Sequence, residues 1–351
     1  MNSRERRNFR LKNKNHHLLY SKQLLNLKTA TDLCNLLKVD FSLLQDLINA
    51  PIYTRYSIPK KRSGRREIQA PEEHLRIVLK SLNRYLQFVY LSVRPINVHG
   101  FVLQLNDEIS DSNIVENAKM HVGKKTVLTI DLKDFFPSIT ARRIRDLLLA
   151  KPFYFNENIA NAIGLLTTYN GRLPQGAPTS PVLSNFVCLD FDAELQAWSV
   201  KNNIIYSRYA DDLTFSADEF IIEQKIEEIK SMIVAHGFVV NEEKLRQRLK
   251  NRKQTVTGLT VNTKVNVDRR YFKKVRAMLH DLKQNGVEAA VSNHFKLSEK
   301  ASKERVISFF QRLEGSIVFI GQVRGKDDFI FKRMLQDFYE LKGINSKCIE
   351  D

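Results

Sequence analysis

Asp211 and Asp212 stand side by side in the stretch IIYSRYADDLTFSA (204–217), whose β-prone flanks leave room for little but a strand, a bend and a second strand. That bend would carry two carboxylates at the tip of a hairpin. A third acid, Asp131, ends the apolar run TVLTIDL (126–132), itself a short strand candidate. Carboxylates at strand ends and tight bends can converge on hard cations, which take oxygen ligands. Three of them suit a Mg²⁺ pair ~3.5–4 Å apart, which stabilises the entering and leaving oxygens of an in-line displacement. Nucleotidyl transfer asks little more of a protein than positioning and charge neutralisation. An Asp-Asp pair also makes an ordinary turn, and the pair alone does not decide between the two.

These acids sit in a basic chain: 351 residues carry 56 Lys+Arg against 39 Asp+Glu, a net charge of +17 at pH 7. Such an excess suits a polyanionic partner, because cations that neutralise phosphates release condensed counterions. A basic surface that only keeps the protein in solution is the plain alternative. The length accommodates two or three lobes around a sizeable core. Cys34, Cys188 and Cys348 are far apart, with no CxxC or Cys/His cluster, so neither a disulfide framework nor a zinc site is indicated. The N-terminus lacks the apolar core of a signal peptide, and no apolar run approaches the ~20 residues of a membrane helix. The expectation is a reduced, cytoplasmic protein with no membrane partner.

Along the chain, leucines at 33, 36, 37, 43, 44 and 47 predict short amphipathic helices over 31–50. In YSIPKKRSGRREIQAP (56–71), five basic residues among seven (60–66) surround Ser63-Gly64, a hairpin tip. Helices are expected over 74–91, 144–169, 181–200 with Ser180 as N-cap and Pro181 first inside, and 219–236 with Ile222, Ile226, Ile229 and Ile233 on one face. Strand-like pieces fill 238–241 and 255–267. The remainder, 269–342, is basic and helical, with Phe309, Phe310, Leu313, Ile317 and Ile320 as a buried stripe. The order of elements suggests an α+β centre flanked by basic helical lobes.

The motifs themselves carry a resemblance. Tyr209-Ala210-Asp211-Asp212 resembles the YxDD hairpin of reverse transcriptases, and Asp131 to Phe136 (DLKDFF) resembles their first catalytic motif. Leu173-Pro174-Gln175-Gly176 with Ser180-Pro181 resembles the LPQGxxxSP loop, and Gly237-Phe238, Asn241 and Lys244 resemble the GFxxNxxK segment. Outside this shared set, Asn117-Ala118 with His121 resembles the NAxxH element of retron reverse transcriptases. Val256-Thr257-Gly258 resembles their VTG element, and Val98 to Phe101 (VHGF) fits the same group.

The resemblance implies an α+β right-hand polymerase fold: fingers, a palm with a small antiparallel sheet backed by helices 181–200 and 219–236, and a helical thumb. Residues 1–27 would be a basic extension, 28–255 interleaved fingers and palm, and 256–351 the palm–thumb junction and thumb. Asp131, Asp211 and Asp212 would be catalytic and hold two Mg²⁺ ions. Lys61, Arg66, Phe136, Gln175, Gly176 and Lys244 would bind the nucleotide, with the Phe136 ring excluding a 2′-hydroxyl and Gly176 letting the backbone approach template or nucleotide. Asn117, His121, Arg269, Arg270, Lys273, Lys274 and Arg276 would contact RNA. Partners would be dNTPs, a structured noncoding RNA that is both template and primer, its DNA product, and an effector protein in defence against phage. The single residues keep plainer readings: Phe136 as a core ring, His121 as a structural histidine, the 60–66 cations as a solvated hairpin. A phage-exclusion or group II intron-like reverse transcriptase, a metal-dependent nuclease, and a nucleic-acid scaffold without catalysis are the rival functions.

Overall fold

The computed structural model describes residues 18–59, 64–104, 112–297 and 301–344. By packing the chain divides into two units, Met1–Asn113 with Leu128–Gln247, and Ile114–Val127 with Arg248–Asp351. The grouping of 114–127 with the C-terminal residues is a join of which the sequence bears no sign.

In the first unit, helices Ala30–Leu37 and Phe41–Asn49 begin where Thr29 and Asp40 accept hydrogen bonds from the backbone N–H groups of Asp32 and Leu43. They bury Leu33, Leu37, Leu44 and Leu47 in the main core. Strands β1 (Tyr53–Pro59) and β2 (Arg65–Pro71) pair antiparallel from Tyr53↔Pro71 to Pro59↔Arg65. The basic tip between them, with Lys61, lies outside the described residues. Helix Glu73–Val93 follows and buries Leu75, Leu79, Leu82 and Leu86.

The central sheet has four strands in the order β4-β5-β3-β6, where β3 is Thr126–Asp131, β4 Ile205–Tyr209, β5 Asp212–Ala217 and β6 Arg246–Leu249. Strands β4 and β5 form the expected hairpin, Tyr209↔Asp212 being its last pair. Helices Leu189–Lys201 and Glu223–Ala235 pack together, the first of them also against β4. Ile226, Ile229 and Ile233 are buried as expected, whereas Ile222 precedes the helix as its N-cap and is exposed.

Several expected elements are corrected. The helix predicted over 144–169 is two helices, Ala141–Leu149 and Glu157–Thr167, with Pro152 between them; proline lacks the N–H and clashes with the preceding turn. The helix predicted over 181–200 is broken at Cys188 into Ser180–Val187 and Leu189–Lys201. The helix already begins at Ser180, so its N-cap is Thr179, which makes no side-chain cap bond; the Ser180 hydroxyl donates to the carbonyl of Pro174 at 2.7 Å. The cation-rich segment after Lys244 supplies an edge strand, β6, where charged side chains discourage further pairing.

In the second unit, helix Ile114–Lys119 packs against a minimal hairpin of β7 (Thr255–Val256) and β8 (Leu259–Thr260). Its turn is Thr257-Gly258, both left-handed at φ 48° and 83°. The Thr257 hydroxyl donates to the carbonyl of Ile114 at 2.9 Å, so the NAxxH and VTG segments form one packed element. Helices Arg269–Phe295, interrupted at Gly286, Lys303–Arg324 and Phe329–Ile344 complete the unit. The predicted stripe from Phe309 to Ile320 is buried. No helix among the described residues is long and apolar enough to cross a membrane.

Candidate active site

The turn between β4 and β5 puts Ala210 in the left-handed region at φ 60°, unusual for a residue with a Cβ. The N–H of Leu132 donates to the carbonyl of Asp211 at 3.0 Å, which ties the end of β3 to this turn. Asp131 and Asp211 thereby share one cleft of about 830 Å³, with Asp212 beside them at the exposed tip. Lys244 Nζ lies 2.9 Å from each carboxylate oxygen of Asp131, and Asn241 Nδ2 donates to one of them at 3.0 Å.

The charges are felt across the cluster. Asp212 is exposed as a residue, yet loss of water around its carboxyl within the turn, then Asp211 and Asp131, pushes that carboxyl up to about 7, against the pull of Lys244. Asp211 is raised too, by burial first and more weakly by Asp131, and is held back by a hydrogen bond from its own backbone, then by Lys244 and Arg66. Carboxylates gathered so closely that Asp131 raises both Asp211 and Asp212 make a site of surplus negative charge, with oxygen donors only, and in donor type and charge that fits hard divalent cations. As they stand, no three His, Cys, Asp or Glu side chains among the described residues enclose a metal position. The oxygens of Asp131 are engaged instead by Lys244 and Asn241.

Arg66, Phe136, Gln175 and Lys244 line the same cleft. Phe136 is half-buried, with its ring 5.7 Å from that of Phe101 and 5.6 Å from that of Phe135. Gln175 accepts from the N–H of Gln69 at 2.9 Å through its backbone carbonyl, joining β2 to the LPQG loop. Gly176 departs from expectation: it is not among the cleft-lining residues, and what approaches it is the backbone of Gln69.

The predicted RNA-contacting residues separate into three groups. Asn117 and His121 are 1% and 0% exposed, so neither side chain reaches the surface; this corrects their reading as RNA contacts. Arg269, Arg270, Lys273 and Arg276 are exposed at the start of helix Arg269–Phe295. Lys273 and Arg276 rim a cavity of about 640 Å³ between that helix and Phe329–Ile344. Lys273 also joins Arg269 and Arg270 around a second recess. Lys274 is exposed as well but acts on His294, whose imidazole is held below its ordinary range by burial first and then by Lys274 and Arg312.

Sequence reasoning missed Arg208 and Asp192, which form an ion pair with both side chains fully buried. A signal was present. Asp192 falls on the same helical stripe as Leu195 and Ser199, and Arg208 shares one face of β4 with Tyr206, so both occupy inward positions that ordinarily hold apolar residues.

Residues 58–261 match the family described as reverse transcriptase (RNA-dependent DNA polymerase). The chain is 36% identical over 259 residues to the Retron Mx65 reverse transcriptase of Myxococcus xanthus, covering 68% of this chain and 58% of that one. It is 32% identical over 254 residues to the Retron Ec86 reverse transcriptase of Escherichia coli, covering 67% and 79%. With the Retron Mx162 reverse transcriptase of M. xanthus the coverage of the relative is 55%, so the chain spans little more than half the length of the two M. xanthus proteins. Among solved structures, telomerase from Candida albicans with a telomeric RNA fragment overlaps 84% of this chain and 64% of its own, at 11% identity and a TM-score of 0.45. On the family match and the retron relatives, the chain belongs to the reverse transcriptases of the retron type.

Proposed function

We propose that this protein is an RNA-directed DNA polymerase that copies part of a structured noncoding RNA into DNA that stays attached to that RNA. The observation that carries the reading is the meeting of Asp131, at the end of β3, with Asp211 and Asp212 at the β4–β5 turn, where Asp131 raises the proton affinity of both. Asp131, Asp211 and Asp212 would hold two Mg²⁺ ions, which would supply Lewis-acid stabilisation of the attacking and leaving oxygens. Asp131, now bonded to Lys244 and Asn241, would give up those bonds to hold metal, and Lys244 and Arg66, which line the same cleft, would bind the triphosphate. Phe136, half-buried beside Asp131, occupies the space that a 2′-hydroxyl would need and so favours dNTPs. The exposed cations Arg269, Arg270, Lys273 and Arg276 grip the RNA backbone, since phosphate contacts position nucleic acid whatever its sequence. The protein works in the cytoplasm with an effector protein in defence against phage.

Primer extension with Mg²⁺ on an annealed RNA template tests the site. Asp211→Asn and Asp212→Asn each lower DNA synthesis by roughly 100-fold or more, while RNA binding changes little. Substantial synthesis by both variants overturns the assignment.

A further inference from the structure

We propose that the buried pair of Arg208 and Asp192 is a brace for the Ala210-Asp211 turn, and that these two positioning residues aim the carboxylates of Asp211 and Asp212 without touching substrate. The inference rests on the reading above that those carboxylates carry the chemistry.

Arg208 Nε and Nη2 donate to the two oxygens of Asp192 at 2.8 and 2.7 Å, a forked contact. Arg208 Nη1 faces the other way, donating to the carbonyl of Ala210 at 3.0 Å and to Asn185 Oδ1 at 3.1 Å. The Tyr206 hydroxyl donates to Asp192 Oδ1 at 2.8 Å, and Asn185 Nδ2 donates to the carbonyl of Gly100 at 2.9 Å. Gly100 closes the ring. A Cβ there would lie 2.3 Å from the backbone nitrogen of Ala210, so the two backbones are in direct contact. The backbone of Arg208 is fixed as well: its N–H donates to the carbonyl of Asn97, and its carbonyl accepts from the N–H of His99, both at 2.9 Å.

The position of this network matters as much as its bonds. It ends on the carbonyl of Ala210, the left-handed residue directly before Asp211. A residue with a Cβ keeps such a conformation only where its surroundings over-determine it. A buried ion pair is a poor device for stability, since apolar residues of similar volume often fold as well. It is a good device for geometry, because the planar guanidinium fixes two partners at once in a way that an ammonium cannot.

The test uses the full chain with two variants, Arg208→Lys and the apolar double variant Arg208→Met with Asp192→Leu. Thermal melting establishes folding, titration with Mn²⁺ followed by electron paramagnetic resonance reads the carboxylate site, and steady-state primer extension separates kcat from KM. For each folded variant, Mn²⁺ affinity falls about 10-fold and kcat about 100-fold, while KM for dNTP stays within about 3-fold. A folded variant with wild-type Mn²⁺ affinity and wild-type kcat overturns the brace. If the double variant does not fold, Arg208→Lys decides by the same readouts. Asp211→Asn serves to show that the Mn²⁺ signal belongs to the carboxylates. Should the wild type bind Mn²⁺ there yet make no DNA, the polymerase reading falls, and the Mn²⁺ comparison alone decides the brace. A wild type that binds no Mn²⁺ at these carboxylates overturns both.

Discussion

Gly176 runs so close to Gln69 that a methyl group on its Cα would sit 2.7 Å from the Gln69 carbonyl oxygen. With a φ of 141°, the glycine also holds a backbone conformation that other residues rarely adopt. Its role is therefore to let β2 dock on the LPQG loop, beside the 2.9 Å bond between Gln69 and Gln175.

The first prediction follows from that close approach. Gly176→Ala lowers stability by about 1–3 kcal/mol, because neither backbone can yield without loosening the hairpin from the loop. Gly315→Ala, in a helix with open space around the added methyl, is neutral or slightly stabilising. Chemical denaturation of both variants checks the contrast.

The second concerns pH. The Asp212 carboxyl titrates near 7 in the folded chain and at the ordinary aspartate value of 3.8 in an unfolded one. Between those values the folded state binds the extra proton, so the stability it contributes falls as pH rises through the window, and above about 7 the penalty is complete. With a chelator present, Asp212→Asn therefore stabilises the protein at about pH 8, by roughly 1 kcal/mol once screening at the exposed tip is allowed for, and not at about pH 4. Adding Mg²⁺ raises the melting temperature of the wild type more than that of the variant.

The third addresses sugar choice. Phe136→Ala opens space beside Asp131 and admits ribonucleotides, so the ratio of dNTP to rNTP incorporation on one primer and template falls. An unchanged ratio would return Phe136 to the Phe101 and Phe135 cluster as a packing residue.

The fourth concerns the C-terminal cations. Replacing Arg270, Lys273 and Arg276 with Ala reduces the slope of log affinity against log salt by about one for each phosphate no longer neutralised. Copying of the cognate RNA is abolished, whereas extension of a generic annealed primer survives at low salt. A parallel fall in both activities would make this face a phosphate clamp without selectivity.

Much of the site is legible in order and spacing alone. Asp211-Asp212 at a bend and Asp131 at a strand end are local patterns, and local patterns survive folding. Gly176 stands out in the sequence for a reason that the structure changes, since nothing in the sequence tells which backbone, 107 positions upstream, comes against it. Asn117 and His121 suggest themselves by motif and polarity, but burial depends on what packs over a helix, here the Thr257-Gly258 hairpin. Arg208 escapes notice because a charge in a strand next to an acidic turn reads as surface. Its partner lies 16 residues away on a helix whose own inward stripe hides the acid among apolar neighbours.

Residues 114–127 have a consequence for synthesis on the ribosome. Val115, Ala118 and Val127 find their apolar company in Val256, Leu259 and the helices beyond. Val256 and Leu259 are translated about 130–145 residues later, which at ~5–20 residues per second leaves a wait of roughly 6–29 seconds. Through that interval a short amphipathic helix and the first residues of β3 have no completed core to join. The nascent chain is then open to chaperone capture, and slow codons after 128 would lengthen the exposure while slow codons before 114 would not.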